Sequence, residues 1–399
     1  MGSTMKRPDI TSIKKSAKDM PRRIATLGAA LTVLVSAAAG FAGGWIGSEA
    51  NRDDKLDSST SRQIISNESE LISQIAKDVG PSVVSVNVTA QATQESFFGR
   101  VPTPQQSAGT GFIISSEGVI VTNRHVVPEG TDEVSVTLSD GTELTEVEVL
   151  GRTNPNESLD IAFLKVKDKK GKDLRAVKLG DSSKMEVGYK VVAIGNALGQ
   201  FQNTVTEGIL SGYGRDVEAA DTSGVESLQN LFQTDAAINQ GNSGGPLVNA
   251  NGEVIGVNTA VAGDGAENIG FAIPVNDIKG LVTSVLEQGK LVRPYLGVRY
   301  VSLTDDYAVD NQLPAKRGAY IVPGQEGQQP SILPGSPAEK AGLKEGDIIT
   351  KVNNESIDEK HSLTSLVSGH KVGDEVTLTV LRDGKEQPLK TKLEAAPQN

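Results

Sequence analysis

Short apolar runs, separated by Gly, Asn and Asp, dominate the sequence between residues 83 and 275. Runs of this length with turn-forming residues at their ends are typical of β-strands. A first alternating run at 82–88 is followed by nine more, at 111–114, 119–122, 134–138, 146–150, 161–166, 190–194, 205–211, 254–260 and 270–273. Many short strands with few helices predict a mainly β fold, built from barrels or a sandwich.

The pattern changes at two places along the chain. Apolar residues at helical spacing follow at 278–286, and Gly289 ends this helix. A second set of strands then begins, which predicts a domain at 71–288, a linker at 289–294 and a smaller domain at 295–393. Two domains suit a chain of 399 residues. The polar segment 89–108 is rich in glutamine and predicts a long mobile loop.

The first 48 residues divide into a basic part and an uncharged part. Residues 1–23 carry seven basic and two acidic side chains, a net charge of +5, and the 25 residues at 24–48 carry no charge. A helix needs about 20 apolar residues to cross a bilayer. We therefore expect one transmembrane helix at 24–48, with the basic segment 1–23 in the cytoplasm and the rest of the chain exported.

A cleaved signal peptide is the alternative for this stretch, because Ala37, Ala38 and Ala39 are small residues of the kind found at cleavage sites. The apolar region of such a peptide is ordinarily only about 7–15 residues long, which favours an uncleaved anchor. We expect a single-pass protein of the cell membrane with both folded domains on the extracytoplasmic side. A flexible linker is expected at 49–70.

Charge and rare residue types exclude several classes of protein. The net charge of -11 argues against nucleic acid as a partner, since proteins that bind it usually present basic surfaces. The absence of cysteine excludes disulfides, thiol nucleophiles and zinc ribbons, and no metal or other cofactor is expected. Imidazole chemistry depends on three histidines, His125, His361 and His370.

The sequence QGNSGGPLV at 240–248 places Ser243 among glycines. A serine hydroxyl becomes a useful nucleophile when a base removes its proton and backbone N–H groups stabilise the resulting oxyanion. Glycines permit the tight turn that exposes such groups, here those of Gly241 and Ser243. The segment also fits an ordinary glycine-rich turn or the nucleophile elbow of α/β-hydrolases. An elbow requires its acid and histidine after the serine and a helix behind it, whereas Pro246 and β-like residues follow here.

His125 is the only histidine before Ser243, and it stands where an apolar strand gives way to a polar turn. The order histidine, aspartate, serine is that of β-barrel proteases with a catalytic triad. Asp160 lies inside the apolar run LDIAFL, so we expect a buried carboxylate that orients the imidazole. Asp140 and Asp235 are the other candidates, although Asp140, which a glycine follows, is more typical of a hairpin turn.

Five stretches of the chain resemble the HtrA/Deg family of serine proteases. They are TNRHVV at 122–127, LDIAFL at 159–164, GN at 195–196, TDAAINQGNSGGPL at 234–247 and IGFAIP at 269–274. The resemblance extends over about residues 75 to 393, and its motifs are highly specific in combination. It implies a chymotrypsin-like double β-barrel of two six-stranded barrels, with the site in the cleft between them, followed by a PDZ domain.

The resemblance also implies the role of each site residue. His125 is the general base, Asp160 is its orienting partner and Ser243 is the nucleophile. The N–H groups of Gly241 and Ser243 form the oxyanion hole. Asn242 stands where trypsin-like zymogens have aspartate, so activation by a freed N-terminus is not expected.

Further properties follow from the resemblance alone. It implies a serine endopeptidase that degrades unfolded or damaged exported proteins through an acyl-enzyme, as a homotrimer acting in protein quality control and the stress response. Regulation is expected from the loops 196–204, 213–230 and 259–268. Separately, the residues Ala237, Ile238 and Asn258 supply no anionic pocket, which favours small aliphatic side chains before the cleaved bond. The alternative is a proteolytically silent chaperone, or a sensor of misfolded chain ends.

The C-terminal domain carries a signal of its own. Its segment YLGV consists of Tyr295, Leu296, Gly297 and Val298. This segment resembles the loop in which PDZ domains receive a peptide C-terminus on backbone N–H groups. The sequences GSPAEKAGL at 335–343 and GDII at 346–349 support the resemblance. We expect this domain to bind peptide C-termini, with His361 and His370 at its surface or at the edge of the groove. Arg293 is expected either to assist the carboxylate or to be a solvated arginine of the linker.

Overall fold

The computed structural model describes residues 34–40, 58–96, 99–154, 158–197, 201–221, 224–239, 241–259, 269–324 and 330–397. The basic segment 1–23 and most of the predicted transmembrane stretch 24–48 lie outside these ranges. Residues 34–40, the part of that stretch inside them, are helical and exposed. Within the described part of the chain, no helix has both the length and the apolar character needed to cross a membrane.

Helix α1 (Ser58–Val79) precedes the sheets and leads into a 3-10 turn, Gly80–Ser82. The expectation of a flexible linker at 49–70 is therefore wrong from Ser58 onward. Ile75 and Val79 pack into the core. With its C-terminal end fixed in this way, the helix can be extended toward the N-terminus at a lower free-energy cost than that of nucleating a new helix. This explains why α1 continues through residues that show little apolar periodicity.

Seven antiparallel strands form the first sheet. They are β1 (Val83–Ser96), β2 (Gly99–Ser115), β3 (Val119–Thr122), β4 (Thr131–Thr137), β5 (Glu143–Leu144), β6 (Val147–Arg152) and β7 (Ala162–Val166). Their order across the sheet is β5-β4-β1-β2-β3-β7-β6. The sheet has one strand more than the six implied, because a turn at Gly141 folds β5 back onto β4.

Six antiparallel strands form the second sheet, which closes into a barrel. They are β8 (Lys190–Ala197), β9 (Phe201–Asp221), β10 (Gly224–Thr234), β11 (Pro246–Asn249), β12 (Val254–Thr259) and β13 (Gly270–Pro274). Their order around the barrel is β10-β13-β12-β11-β8-β9. This matches the six-stranded barrel that the resemblance implied.

Two long hairpins extend from these sheets. Strands β1 and β2 stay paired out to Ser96 and Gly99, so the prediction of a loop at 89–108 is wrong. Strands β9 and β10 stay paired out to Asp221 and Gly224, so most of the expected loop 213–230 is also a hairpin. Backbone hydrogen bonds pair the two strands of such a ribbon, and these bonds do not require apolar alternation in the sequence. The third expected loop is 259–268, and its residues 260–268 lie outside the described residues.

A shared core joins the two sheets. Phe112 and Phe163 from the first sheet pack with Ile194 and Val257 from the barrel, and all four are fully buried. Helix α2 (Val275–Gln288) covers this core with one apolar face and ends at Gly289, as its sequence predicts. The two halves therefore meet over an extensive apolar contact, which fixes the geometry of any site between them.

The described residues of the C-terminal domain form short strands and three short helices. These elements are β14 (Pro294–Tyr295), β15 (Val301–Ser302), α3 (Asp305–Asp310), β16 (Ala319–Tyr320), α4 (Pro337–Ala341), β17 (Ile348–Val352), β18 (Glu355–Ser356), α5 (Leu363–Ser368), β19 (Glu375–Arg382), β20 (Lys385–Lys392) and β21 (Glu394–Ala395). The main sheet runs β15-β16-β17-β19-β20, with β18 beside β17, and β14 pairs with β21.

Helices α2 and α5 pack directly on each other and join this domain to the barrel. Gly280 lies in the middle of α2, where a Cβ atom would collide with the carbonyl oxygen of Ser368 at the end of α5. Glycine in a helix interior is ordinarily unfavourable by roughly 0.5–1 kcal/mol relative to alanine. The close approach of the two helices accounts for its presence here.

Candidate active site

His125 and Asp160 meet at the edge of the first sheet. His125 lies in the turn that follows β3, and Asp160 lies two residues before the start of β7, the strand paired with β3. The two side chains contact each other through His125 Nδ1 and Asp160 Oδ2 at 2.6 Å. The backbone N–H of His125 donates to Asp160 Oδ1 at 3.0 Å. This geometry fixes the plane of the imidazole and turns Nε2 away from the carboxylate.

The Asp160 carboxylate is buried, with 1% of its surface exposed. Burial opposes its ionisation, but His125 and the positive charge of Arg124 outweigh this and hold its pKa below the ordinary value. Thr259 Oγ1 donates to Asp160 Oδ2 at 3.4 Å from the second barrel. Asp160 is therefore an ionised carboxylate in contact with the imidazole of His125.

The other two aspartate candidates lie elsewhere. Asp140 accepts a hydrogen bond from the backbone N–H of Thr142 and pairs with Lys172, in the hairpin turn that its sequence predicts. Asp235 accepts from the backbone N–H of Ile209 at 2.7 Å, at the end of the barrel. The structure thus brings only Asp160, of the three candidates, into contact with His125.

Ser243 lies in the turn 241–244 before β11, and this turn packs against the first sheet. The backbone N–H of Thr110 donates to the Ser243 carbonyl at 2.9 Å, and Thr110 Oγ1 donates to the Gly241 carbonyl at 2.9 Å. Thr122 Oγ1 in turn donates to the Thr110 carbonyl at 2.7 Å. The serine turn is thereby tied to strand β3, which leads directly to His125.

Gly244 shows how closely the two halves approach. Its φ is 81°, and a Cβ atom there would collide with the Thr110 carbonyl oxygen. Its N–H donates to the Asn258 carbonyl at 2.8 Å. A larger residue would therefore push the serine turn away from the sheet that carries His125.

Asn239 occupies the N–H groups predicted as the oxyanion hole. Its Oδ1 accepts from Gly241 N–H at 2.9 Å, and its carbonyl accepts from Ser243 N–H at 3.1 Å. Asn242 N–H also donates to that carbonyl at 3.1 Å. In this conformation the two donors are directed at the chain itself, so an oxyanion can bind only after this turn reopens.

The predicted PDZ segment lines a cavity of about 390 Å³. Tyr295, Leu296, Gly297 and Val298 form one wall, and Leu363, Thr364, Val367 and Ser368 from the α5 region form another. The remaining wall belongs to the protease half of the chain, from Asn154, Ser158, Leu159, Gln229 and Leu281. The predicted peptide groove therefore opens toward residues that directly precede Asp160.

Arg293 also lines this cavity. Burial lowers the pKa of its guanidinium to about 10, and the positive charge of Arg124 acts in the same direction. His361 pairs with Asp358 at 2.9 Å, and His370 lies 3.2 Å from the Asn353 amide, so each has a partner inside its own domain. Neither histidine is among the residues that line the cavity.

A second buried carboxylate lies where the barrel meets the C-terminal domain. Asp277 on α2 is 2% exposed. Its Oδ2 accepts from Asn230 Nδ2 at 2.9 Å, and its Oδ1 accepts from Ser362 Oγ, the cap of α5, at 3.1 Å. Burial raises the pKa of Asp277 to about 6, against the effect of these two hydrogen bonds. The sequence interpretation did not single out this residue.

Sequence reasoning missed four residues that contribute to the site. Thr110 and Thr259 stand on strands and have no distinctive neighbours, so only the register of the two sheets reveals them. Asn239 and Arg124 lie inside the quoted motifs, since Asn239 is four residues before Ser243 and Arg124 directly precedes His125. Their polar side chains next to a predicted nucleophile and base were the signal available.

Comparison with known proteins agrees with this architecture. Residues 109–257 match the model of the trypsin-like peptidase domain, and residues 294–393 match that of the PDZ domain. The serine protease Do-like HtrB of Bacillus subtilis (strain 168) is 36% identical over 361 residues, which cover 86% of this chain and 75% of that protein. The periplasmic serine endoprotease DegP of Escherichia coli (strain K12) is 37% identical over 367 residues, covering 82% and 73%.

A solved structure is similar as well. The HtrA-type protease AlgW with a decapeptide is 31% identical, with a TM-score of 0.56 over 82% of this chain and 99% of that one. Sequence identity, shared domains and fold lead to the same assignment. The chain belongs to the HtrA/DegP family and is a serine endopeptidase with a trypsin-like domain followed by a PDZ domain.

Proposed function

We propose that this endopeptidase cleaves unfolded or damaged exported proteins, with Ser243, His125 and Asp160 as its catalytic triad. The single observation that supports this most strongly is the contact between His125 and the buried Asp160, beside the strand that holds the serine turn. Membership of the HtrA/DegP family supports the quality-control role.

Each residue has one task in the proposed mechanism. Ser243 Oγ attacks the peptide carbonyl while His125 Nε2 takes its proton, and Asp160 stabilises the imidazolium that forms. The imidazolium then gives this proton to the leaving amine, which yields the acyl-enzyme. Water attacks the ester with His125 again as base, and the acid is released as Ser243 recovers its proton.

The oxyanion step requires a rearrangement. Gly241 N–H and Ser243 N–H must leave their acceptors on Asn239 before they can bind the oxyanion. We infer that the described conformation is a resting one. This same observation favours the second candidate, a chain-end sensor without proteolytic activity, in conditions where the turn stays closed.

Casein hydrolysis separates the two candidates. We expect wild-type protein to hydrolyse casein and Ser243→Ala to lose turnover by about 10⁶-fold, the loss typical of removing a triad nucleophile. A fluorophosphonate probe should label Ser243, and the label should vanish in His125→Ala. Full turnover by Ser243→Ala would assign the chemistry to another residue.

The cavity beside Tyr295 and Gly297 is the proposed site for peptide C-termini. Backbone N–H groups of this loop suit a carboxylate, and the walls from α5 suit an apolar last side chain. A fluorescent peptide should bind with a free C-terminus and fail to bind when that terminus is amidated. Equal binding of the two peptides would contradict carboxylate capture.

Three further proposals concern location and assembly. The uncharged stretch 24–48 after a basic segment supports a membrane anchor, with the catalytic and PDZ domains outside the cytoplasm. Periplasmic DegP among the relatives supports the extracytoplasmic side. N-terminal sequencing of protein recovered from membranes tests retention of the anchor.

A homotrimer is proposed from family membership, and sedimentation equilibrium tests it.

A further inference from the structure

Thr110 lies on β2 and is fully buried. Its hydroxyl group takes part in two hydrogen bonds. Oγ1 donates to the Gly241 carbonyl at 2.9 Å, and it accepts from the backbone N–H of Asn196 at 2.9 Å. Because a hydroxyl has one proton and the Asn196 N–H can only donate, the proton of Thr110 is directed at the Gly241 carbonyl. The hydroxyl thus joins β2, β8 and the serine turn.

The Gly241 carbonyl lies between the two N–H groups predicted as oxyanion donors. It belongs to the peptide unit that joins Gly241 to Asn242. The Gly241 N–H belongs to the preceding unit and the Ser243 N–H to the following one. Each peptide unit is planar, so the chain rotates only between units. Thr110 therefore holds the middle one of three successive units, and the two outer units carry the donors.

Other contacts of Thr110 hold the same turn. Its backbone N–H donates to the Ser243 carbonyl at 2.9 Å. A Cβ atom at Gly245 would lie 2.9 Å from Thr110 Cγ2, so the methyl group also packs closely against the turn. These contacts are separate from those of the N–H groups of Gly241 and Ser243, which donate to Asn239. The two donors can therefore leave Asn239 while Thr110 keeps its bonds to the turn.

We propose that Thr110 is a positioning residue of the oxyanion hole. The inference rests on the proposed nucleophile and on the two proposed donors, the N–H groups of Gly241 and Ser243. When the turn reopens, the hydrogen bond from the Thr110 hydroxyl keeps the middle peptide unit in place. The two outer units then bring their N–H groups to one point. Without the hydroxyl the middle unit can rotate, and the donors no longer meet at a single oxyanion.

Two variants separate the hydroxyl of Thr110 from the shape of its side chain. Thr110→Val keeps the branched shape and loses the hydroxyl, and Thr110→Ser keeps the hydroxyl. We expect kcat to fall about 10²-fold in Thr110→Val with KM within about twofold, since loss of one oxyanion donor ordinarily lowers kcat by about 10²–10³-fold. Thr110→Ser should keep kcat within about threefold.

Thr391→Val is the matched control. Thr391 is a buried threonine of the C-terminal domain, and its Oγ1 also donates to a backbone carbonyl at 2.9 Å, that of Pro337. The control therefore removes an equivalent hydrogen bond away from the serine turn. We expect it to keep the wild-type kcat.

A peptide boronic acid distinguishes positioning from simple destabilisation. Ser243 Oγ bonds to the boron as His125 takes the serine proton, and the tetrahedral adduct that forms resembles the transition state. We expect the inhibition constant of the boronic acid to rise about 10²-fold in Thr110→Val. The same peptide with a C-terminal amide in place of the boronic acid should bind within about twofold of wild type. In Thr110→Ser and Thr391→Val both constants should stay near those of wild type.

A merely structural role would lower the midpoint of thermal unfolding of Thr110→Val and leave the ratio of the two inhibition constants unchanged. That result would overturn the proposal. If Thr110→Val does not fold, Thr110→Ala is compared with Thr110→Ser by the same ratio, because these two variants also differ in the hydroxyl. A wild-type chain without turnover, or activity retained by Ser243→Ala, refutes the proposed function instead, so the two failures are distinguishable.

Discussion

Two aspartates with nearly the same burial behave in opposite ways. Asp160 lies between the sheets and Asp277 lies between the barrel and the PDZ domain, and each exposes 2% or less of its surface. His125 and Arg124 give Asp160 positive neighbours, which hold its pKa below the ordinary value despite burial. Asp277 has neutral partners in Asn230 and Ser362, and burial raises its pKa to about 6.

The comparison shows that partners, and not depth, decide the charge of a buried carboxylate. Asp160 stays ionised next to the proposed base His125, as catalysis requires. Asp277, with a pKa of about 6, lies at the contact between the two domains. Its hydrogen bonds to Asn230 and Ser362 hold these domains together. The four predictions below test this division between chemistry and docking.

The largest effect is expected from matched changes of the two carboxylates. Asp160→Asn should lower kcat about 10⁴-fold, because an amide neither stabilises the imidazolium nor selects the required tautomer. Asp277→Asn should leave kcat within about threefold, since it removes no group from the site. Steady-state hydrolysis of one peptide by both variants measures the difference. A similar loss of kcat in both variants would contradict the division of roles between Asp160 in catalysis and Asp277 in domain contact.

The pH dependence of stability is the next largest effect. Burial raises the pKa of Asp277 from 3.8 to about 6, so the folded chain binds this proton more tightly than the unfolded chain. The stabilisation is therefore fully present below about pH 4 and is lost as the pH rises through 6. Its size is on the order of 3 kcal/mol, at about 1.4 kcal/mol for each pKa unit.

Urea unfolding at a series of pH values tests this, with Asp277→Asn as the comparison. The variant should gain free energy of unfolding relative to wild type between pH 4 and pH 7, because it lacks the titrating group. Parallel profiles for the two proteins would show that Asp277 does not titrate in this range.

A smaller effect is expected at the contact of α2 with α5. Gly280→Ala should destabilise the chain by about 1–3 kcal/mol, because the new methyl group meets the Ser368 carbonyl. Helix propensity alone predicts the reverse, a gain of roughly 1 kcal/mol. Thr283→Ala, at an exposed position of the same helix, is the control. Chemical denaturation gives the sign of the change in free energy of unfolding. Faster proteolysis within 289–294 would indicate a weaker contact between the two domains.

The smallest effect is expected at Thr259. Its hydroxyl donates to Asp160 at 3.4 Å, a long bond that supplements those from His125. Thr259→Val should lower kcat by about 10-fold or less, because a hydrogen bond this long contributes less than the about 1.5–3 kcal/mol of a well-formed bond to a charged group. Steady-state kinetics at constant pH measures this. A loss as large as that of Asp160→Asn would mean that Thr259, more than His125, orients the carboxylate.

The sequence predicted the strands better than the ribbons and the contacts between domains. Apolar runs located β3, β7, β8 and β13, because nearly every side chain of these strands is buried and a continuous apolar run records that burial. Strand β11, which follows the serine turn and begins at Pro246, was not predicted separately. The paired arms of β1 and β2 beyond Val88 rest on backbone bonds, which leave no trace in side-chain pattern.

The site was predictable to the extent that its residues lie in distinctive motifs. His125, Asp160 and Ser243 belong to such motifs, and their order along the chain excluded the hydrolase elbow. Asp277 and Gly280 could not be found in this way, because their importance comes from Ser362 and Ser368, which are more than 80 residues away in sequence. Only the packed domains show that these residues meet.

The bonds from Thr110 to the serine turn have a consequence for how the enzyme is made. Thr110 precedes Gly241 by 131 residues, and both ends of this contact must exist before the turn is held. During synthesis the sheet with His125 emerges first, and the second barrel closes only when β13 has followed. A chain whose synthesis has not yet passed Pro274 therefore lacks the closed barrel that holds the serine turn against the sheet.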